Sequence, residues 1–598
     1  MKLSRLYSNK PQIFEPINFQ PGLNVVIGEI RLPENRKHDT HNLGKTILGR
    51  LLDFLFLGGR EADFFLFKHK ELFFSFIFCL ELQLEDSAFL TIRRSVEEAS
   101  KISFKRHSKG GKDFLDLPQH QWDHFNIPHE KAKKLLDGFL DWKELTPWTY
   151  RKMIGYLLRT QGDYQEVFQL RKFSGKHSDW KPFLAHLLGF NGNLVEQSYE
   201  KEKNLESKQK DVQIMERKFG DRVKDASRIE GILVLKRDAA EKKQLQLNAF
   251  DFSSADREQT KRLVDDLDVS IANLNSERYL LTYNQRTISD SLAEDQILFN
   301  PEEAQRIFQE AHIYFEGQIK RDFEQLIAFN RAITEERSKY LKEELAQIEE
   351  RLSKVDEELN TLGKERSTAL EYLGTTDIFE KYKQTSNSLI SLKADIEVLE
   401  SQLKDADSLQ DLKKEVQRLT AEKAQLKFLV EEDVRRQVSS QTGQFAKIRF
   451  FFNEIIEEVI DRKALLNVSC NKSGHLDFHA EILDENGNLT SASDGHTYQK
   501  LLCIAYDLAI LRAYSDIKFA RFVFHDGIFE TLELRKRGNL LAVLRQYADL
   551  GLQLVITLTD SDSPPITGDK KEVFDSKEVI LKLHDEGESG LLFKIKPW

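Results

Sequence analysis

The sequence predicts an α/β globule assembled from the two ends of the chain, with a long antiparallel coiled coil inserted between them. Three observations carry this. Between residues 196 and 440 the 598-residue chain has one of its 12 prolines (Pro301), five of its 29 glycines and only 10 of its 41 phenylalanines. Such a span, nearly free of helix breakers, reads as long helix. Within it the apolar residues repeat every 3.5 positions, the period of a left-handed coiled coil. The flanks instead alternate short apolar strands with helical patterns, as a layered α/β core does. The expected division is 1–195, 196–440 and 441–598, and the length allows roughly two to four domains.

In order along the chain, the turn Pro21-Gly22 precedes the apolar strand Leu23–Ile27. The segment Asn42-Leu43-Gly44-Lys45-Thr46 then opens a helical pattern running through Leu57. Phe89–Arg93 and Lys101–Lys105 pair as a hairpin. In the middle, Leu341, Leu345, Ile348, Leu352, Val355, Leu359 and Leu362 step by four and three, and Leu389, Leu392, Ile396, Leu399 and Leu403 repeat the pattern. The first half of the coil is less regular, with breaks expected at Gly231, at Ala249–Ser254 and, in the return arm, at Gly374. Asn300-Pro301 is the strongest turn signal, so the reversal is expected within 295–335. A filamentous dimerisation stalk is the alternative, and the choice depends on whether the flanks form one domain. Beyond the coil, Ala464–Val468 and His475–Ile482 read as paired strands, with Asn486-Gly487 as a hairpin turn. Phe522–Phe524 and Leu554–Ile556 bracket a helix over Arg535–Asp549, a βαβ pattern for a parallel sheet.

Composition removes several classes. With 88 Lys and Arg against 98 Asp and Glu the net charge is −10, so any contact with nucleic acid must use a local patch. Cys79, Cys470 and Cys503 lie far apart, without a CxxC pair, so neither a disulfide framework nor structural zinc is indicated. The first residues lack the apolar stretch of a signal peptide and no apolar run reaches membrane-spanning length, so a cytoplasmic protein with no membrane partner is expected.

Two motifs carry chemistry. After a strand and at a helix start, Gly44-Lys45-Thr46 has the context of a P-loop. There backbone N–H groups cradle phosphates, the lysine reaches the β/γ oxygens, and the hydroxyl ligates Mg²⁺. Asn42, Gly44, Lys45 and Thr46 are therefore the expected nucleotide-binding residues, with a chance GKT at a helix start as the alternative. The spacing departs from the usual motif, because Asp39 stands where the first glycine belongs. Gly28-Glu29 is the nearer match, followed by an insertion, Ile30–Thr40, that carries Arg36, Lys37 and His38. The second motif is Arg521–Gly527, an apolar strand ending in Asp526. A P-loop ATPase places there the carboxylate that helps hold Mg²⁺.

Together, a P-loop lobe, a reversing coiled coil and an Asp-strand lobe resemble the SMC-type branch of ABC ATPases. The resemblance implies an α/β P-loop (ABC-type) head, ATP and Mg²⁺ as cofactors, and a homodimer through heads that sandwich two ATPs. It implies that Gln161 is the Q-loop glutamine, which senses Mg²⁺ and γ-phosphate. Ser493-Asp494-Gly495 resembles a degenerate signature motif whose serine and glycine cap the nucleotide of the opposite head, and Thr531-Leu532-Glu533 resembles the D-loop. Two departures stand out. Gly527 replaces the usual catalytic glutamate, with Glu530 the candidate substitute, and Leu558 and Thr559 stand where a switch histidine is usual. They imply slow ATP hydrolysis, or ATP used mainly to join heads; losing a general base typically costs roughly 10²–10⁴-fold.

The inserted loop, HNLGKT and HDGIFETLELRKR are similar to a narrower group, the SMC-like ATPases of bacterial three-component (Lamassu-type) anti-phage defence systems. That resemblance implies DNA as the input, ends or foreign DNA, and an effector nuclease and small adaptor subunit as partners. A non-catalytic coiled-coil scaffold and an SMC-like DNA-repair protein without an effector are the alternatives. Independently, Arg93, Arg94, Lys101, Lys105 and Arg106 cluster around the predicted hairpin. They form either a patch that neutralises phosphates or an ordinary solvated hairpin.

Overall fold

The computed structural model describes the chain except residues 33–42, 60–62, 171–174, 220–225, 251–254, 295–316, 373–376, 485–486, 489–494, 567–571 and 597. It divides into two compact units, residues 1–203 with 421–598, and residues 204–420. The sequence expectation puts these divisions at 195 and 440. Residues 196–203 and 421–439 are helical, yet they belong to the first unit. Composition registers the helix, not the unit with which it packs.

Among the described residues the first unit contains three sheets. The strands are β1 (Lys2–Ser8), β2 (Ile17–Asn18), β3 (Leu23–Glu29), β4 (Ile77–Gln83), β5 (Phe89–Ser95), β6 (Lys101–His107), β7 (His124–Pro128), β8 (Leu158–Arg159), β9 (Ala464–Cys470), β10 (Leu476–Ile482), β11 (Phe522–His525), β12 (Gln553–Thr559) and β13 (Val579–His584). An antiparallel sheet runs β2-β1-β4-β5-β6-β7, and β9 pairs with β10. The third sheet, β13-β3-β12-β11-β8, is parallel throughout. Its strands come from both ends of the chain, which makes the coil an insertion into one domain. Further contacts fasten the ends together. The Gln553 side chain accepts from Leu3 N at 2.7 Å and donates to Leu3 O at 2.9 Å, and Leu554 N donates to Gly22 O at 3.0 Å.

The helices used below are α1 (Lys45–Leu55), α2 (Tyr150–Leu157), α3 (Gly192–Phe219), α4 (Ala226–Asn248), α5 (Ala255–Glu294), α6 (Gly317–Tyr372), α7 (Asp377–Ser439), α8 (Gln444–Ile460), α9 (His496–Ala513) and α10 (Leu534–Asp549). Helix α1 buries Leu48, Leu51, Leu52 and Leu55, one face of a 3.6-residue period. Gly49 lets it approach β11 closely, since a Cβ there would lie 2.6 Å from Phe524 Cε1. Helix α8 buries Phe445, Ile448, Phe452, Ile455, Ile456 and Val459 and packs against α9 and α10.

In the second unit, charged side chains link two helical arms. Lys413 pairs with Glu216 at 2.7 Å, Arg237 with Glu400 at 2.5 Å, Arg351 with Glu277 at 2.6 Å and Arg278 with Asp356 at 2.7 Å. From Glu216–Lys413 through Arg237–Glu400 to Glu277–Arg351 one partner's number rises while the other's falls, which makes the arms antiparallel. The heptad residues Ile348, Val355 and Leu389 are buried. Of the expected breaks, Ala249 and Phe250 follow the end of α4, Gly231 lies inside α4, and 251–254 and Gly374 lie outside the described residues. Tyr382 on α7 is buried, 5.6 Å ring to ring from Phe250, and donates to Asp265 at 2.8 Å. Pro301 and much of the expected reversal window lie outside the described residues, and 317–335 is helix.

Candidate functional site

Ligands of open parallel sheets gather at the carboxyl ends of the strands. The ends of β3, β11 and β12 supply the site here. After β3, Gly44 stands at the N-cap of α1 with φ +104°, a left-handed conformation that suits glycine, and a Cβ there would lie 2.5 Å from Leu592 Cβ. Lys45 begins the helix, is 2% exposed, and its Nζ has no hydrogen-bond partner among the described residues. Burial pushes this ammonium below the ordinary lysine range, opposed by the carboxylates of Asp526, Glu530, Asp562 and Asp560. A cation fixed at a helix N-terminus without a partner is poised for an anion. A cavity of about 360 Å³ opens beside Gly44 and Thr46, walled in part by Arg50, Phe65, His69 and Trp598.

The hydroxyl of Thr46 donates to Asp526 Oδ2 at 2.5 Å, across 480 residues of sequence. The other oxygen of Asp526 accepts from Thr557 Oγ1 at 2.6 Å, and Thr557 Oγ1 itself accepts from Gly527 N at 3.0 Å. A hydroxyl and a fully buried carboxylate held side by side form a hard oxygen pair of the kind Mg²⁺ takes. Their juxtaposition with the unpartnered Lys45 fits a Mg²⁺–triphosphate.

Glu530 lies close enough to act on the Lys45 ammonium. Its Oε1 accepts from Gln161 Nε2 at 2.7 Å, and its Oε2 pairs with Lys500 Nζ at 3.3 Å. Gly527 has φ +63°, and a Cβ there would lie 2.5 Å from Glu530 Oε1 and 2.6 Å from Cδ. The Glu530 carboxylate thus occupies the space into which a side chain at 527 would project. Gln161 starts the short helical turn Gln161–Tyr164 after β8, locked by a reciprocal Thr160–Asp163 capping box.

The structure therefore brings Gly44, Lys45, Thr46, Gln161, Asp526 and Glu530 together. Gly495 is the N-cap of α9, while Asn42 and Ser493 lie outside the described residues, as do Arg36, Lys37 and His38. One residue of the hairpin patch, Arg94, is corrected. Arg94 is 1% exposed, donates to the carbonyls of Ala99, Phe54 and Gly58, and lies 4.0 Å over the Phe54 ring, so it cannot reach a phosphate backbone. Lys101 pairs with Glu98 at 2.5 Å, Lys105 with Asp123 at 2.9 Å, and Arg106 with Asp86, which leaves the patch largely neutralised. Arg93 lies 5.8 Å over the Phe125 ring.

Sequence reasoning missed a buried network behind the site. Asp507 on α9 accepts from Arg159 Nε at 2.7 Å and Nη2 at 2.8 Å and sits 3.0 Å from His525 Nε2. Tyr164, packed beside it, has a buried hydroxyl without a partner among the described residues, and burial raises its pKa well above the usual range. One signal was available: Asp507 is the only acid in the apolar run Leu501–Ala513, and a buried carboxylate requires a partner.

A parallel sheet built from both chain ends, with lysine after one strand and a carboxylate ending the next but one, defines the class. It is an α/β head whose parallel sheet is shared by both ends of the chain, carrying an antiparallel coiled-coil insertion. Residues 455–597 match a family described as an uncharacterised protein conserved in bacteria (DUF2326). That stretch holds Lys500, Asp507, Asp526 and Glu530 but not Lys45. No curated protein matches the chain. Among solved structures, the chain is similar to an Smc head domain with a coiled coil and joint from Pyrococcus yayanosii, at 14% identity over 93% of this chain and 92% of that one, TM-score 0.34. An Smc head domain with an extended coiled coil, bound to the C-terminal domain of ScpA, from Pyrococcus furiosus is 11% identical over 94% and 90%, TM-score 0.31. An SmcHead bound to the C-winged helix domain of ScpA is 9% identical over 94% and 90%, TM-score 0.36. The head class rests on the sheet order and the residues at its strand ends. No described helix is long and apolar enough to cross a membrane.

Proposed function

We propose that the chain is an SMC-like ATPase that binds Mg²⁺·ATP between two heads and uses ATP binding and slow hydrolysis to control partner proteins. The observation that carries this is the buried, unpartnered Lys45 ammonium beside the Thr46–Asp526 pair. In this reading Gly44 and Lys45 hold the phosphates, and Thr46, Asp526 and Gln161 hold the metal. Bound Mg²⁺ would screen the charge that develops on the phosphates. Glu530 polarises the attacking water in place of a residue at 527, supported by its carboxylate filling the space that Gly527 leaves. Gly495, at the N-terminus of α9, caps the nucleotide of the opposite head together with Ser493.

The resemblance to three-component anti-phage systems supplies the context. DNA, as ends or as foreign DNA, is the input, and an effector nuclease with a small adaptor subunit is the output. The DNA surface is sought away from residues 93–106. Single-turnover hydrolysis by the full chain, with its genomic neighbours and with linear or circular DNA, tests this function. The reading expects turnover that depends on DNA form and slows on Glu530→Gln. An absence of phosphate release under every condition would favour the non-catalytic scaffold.

A further inference from the structure

Helix α9 grips both catalytic loops of its own head through one face. Lys500 and Asp507 are seven residues apart, two turns of helix, and so project on the same side. Lys500 is 2% exposed. Its Nζ donates to Gly527 O at 2.9 Å, pairs with Glu530 Oε2 at 3.3 Å, and lies 5.2 Å over the Tyr164 ring. Asp507 clamps Arg159 through two hydrogen bonds, and Arg159 O accepts from Asp526 N at 3.1 Å, two residues before Gln161. Burying an ammonium is costly unless its geometry is fixed by partners. Lys500 has such partners, and they are the backbone and the carboxylate of the loop after β11. The N-terminus of this helix is Gly495, five residues before Lys500.

We infer that Lys500 is the positioning residue that ties the Glu530 carboxylate to helix α9. A displacement of the Gly495 end then reaches the water-polarising group through a single side chain. This inference rests on the reading of Glu530 as the base. With Gln161 on one oxygen and Lys500 on the other, Glu530 is held from two elements at once. Lys500 touches no expected substrate position; it acts through Glu530.

The test is a double-variant cycle on the full chain, with Mg²⁺·ATP and linear DNA present, reading kcat and nucleotide affinity separately. Lys500→Met removes the charged contact and is expected to lower kcat roughly 10–100-fold, the kinetic equivalent of one charge-assisted hydrogen bond. Nucleotide affinity is expected to stay within about 2-fold, because the lost contact lies on the base and not on the phosphates. Lys500→Arg, which keeps the charge, is expected to recover part of kcat and guards against a folding defect in the methionine variant. In a Glu530→Gln background, Lys500→Met is expected to add nothing. Equal kcat losses in both backgrounds, or a loss of affinity that parallels kcat, would overturn the inference in favour of a packing role. Full turnover by Glu530→Gln would instead refute the base assignment beneath it, as would no turnover by the unaltered chain. If Glu530→Gln is slow and Lys500→Met is unimpaired, only the positioning role falls.

Discussion

Replacing Gly527 by alanine perturbs the site more than one methyl group suggests. The residue adopts φ +63°, where an L side chain costs roughly 1–2 kcal/mol. The added Cβ would stand 2.5 Å from Glu530 Oε1, and ordinary contact begins near 3.4 Å, so the carboxylate must retreat by nearly the difference, about 0.9 Å. It cannot retreat freely, because Gln161 and Lys500 hold its two oxygens. A misplacement of about 1 Å in a reacting group can cost on the order of 10²-fold, and complete loss of a base roughly 10²–10⁴-fold. Gly527→Ala is therefore expected to lower single-turnover kcat by about 10²-fold or more, to leave nucleotide affinity nearly unchanged, and to destabilise the head by roughly 1–2 kcal/mol. The assay is phosphate release with excess enzyme, beside a denaturant titration of the same variant. In a Glu530→Gln background the alanine is expected to have little further effect on kcat. Unchanged turnover by Gly527→Ala would refute the assignment of Glu530 and the reason given for glycine at this position.

Lys45→Met is expected to stabilise the nucleotide-free head by about 1 kcal/mol while weakening nucleotide binding, because it removes a buried charge that has no hydrogen-bond partner among the described residues; melting curves with and without Mg²⁺·ATP read both effects. The pH dependence has the matching sign. Burial holds the folded Lys45 below the ordinary lysine value of 10.5, so the unfolded chain binds more protons between the two values. The nucleotide-free head should gain stability as pH rises through that window relative to Lys45→Met, and the wild-type chain should lose ATP affinity over the same interval. Arg159→Met leaves Asp507 buried without its guanidinium partner; about 3–5 kcal/mol of head stability should be lost, measured by denaturation, with Asp507→Asn less severe. Arg94→Ala should destabilise the head without weakening DNA binding selectively, whereas Arg106→Ala should change neither; a selective loss of DNA affinity in either variant would restore the hairpin as a DNA surface.

The fold was legible wherever its signal is local. A missing helix breaker, a heptad, a GKT at a helix start and an apolar strand ending in Asp526 are all patterns within a few residues or a steady period, and the structure organises the chain accordingly. That both flanks share one sheet followed from the order of the motifs around the coil, not from any single segment. Glu530 was legible only as the answer to a vacancy at Gly527; what the sequence could not give is that the two compete for the same space. The network behind the site was hidden because its bonds span the chain: Arg159 meets Asp507 across 348 positions, and Lys500 meets Glu530 across 30. Charge counting misled at Arg94 for a related reason. It cannot show that Arg94 points into the core beside Phe54, nor that Asp86 and Asp123, distant in sequence order from their partners, neutralise Arg106 and Lys105.

Mg²⁺-dependent ATP binding by the full chain, compared with Lys45→Ala and Asp526→Asn, tests the central claim most directly, because those two residues come from opposite ends of the sequence. The account predicts that the unaltered chain binds ATP, that Lys45→Ala weakens binding with or without the metal, and that Asp526→Asn removes chiefly its metal-dependent part. An unaltered chain that binds no nucleotide, or binding indifferent to both substitutions, would contradict it.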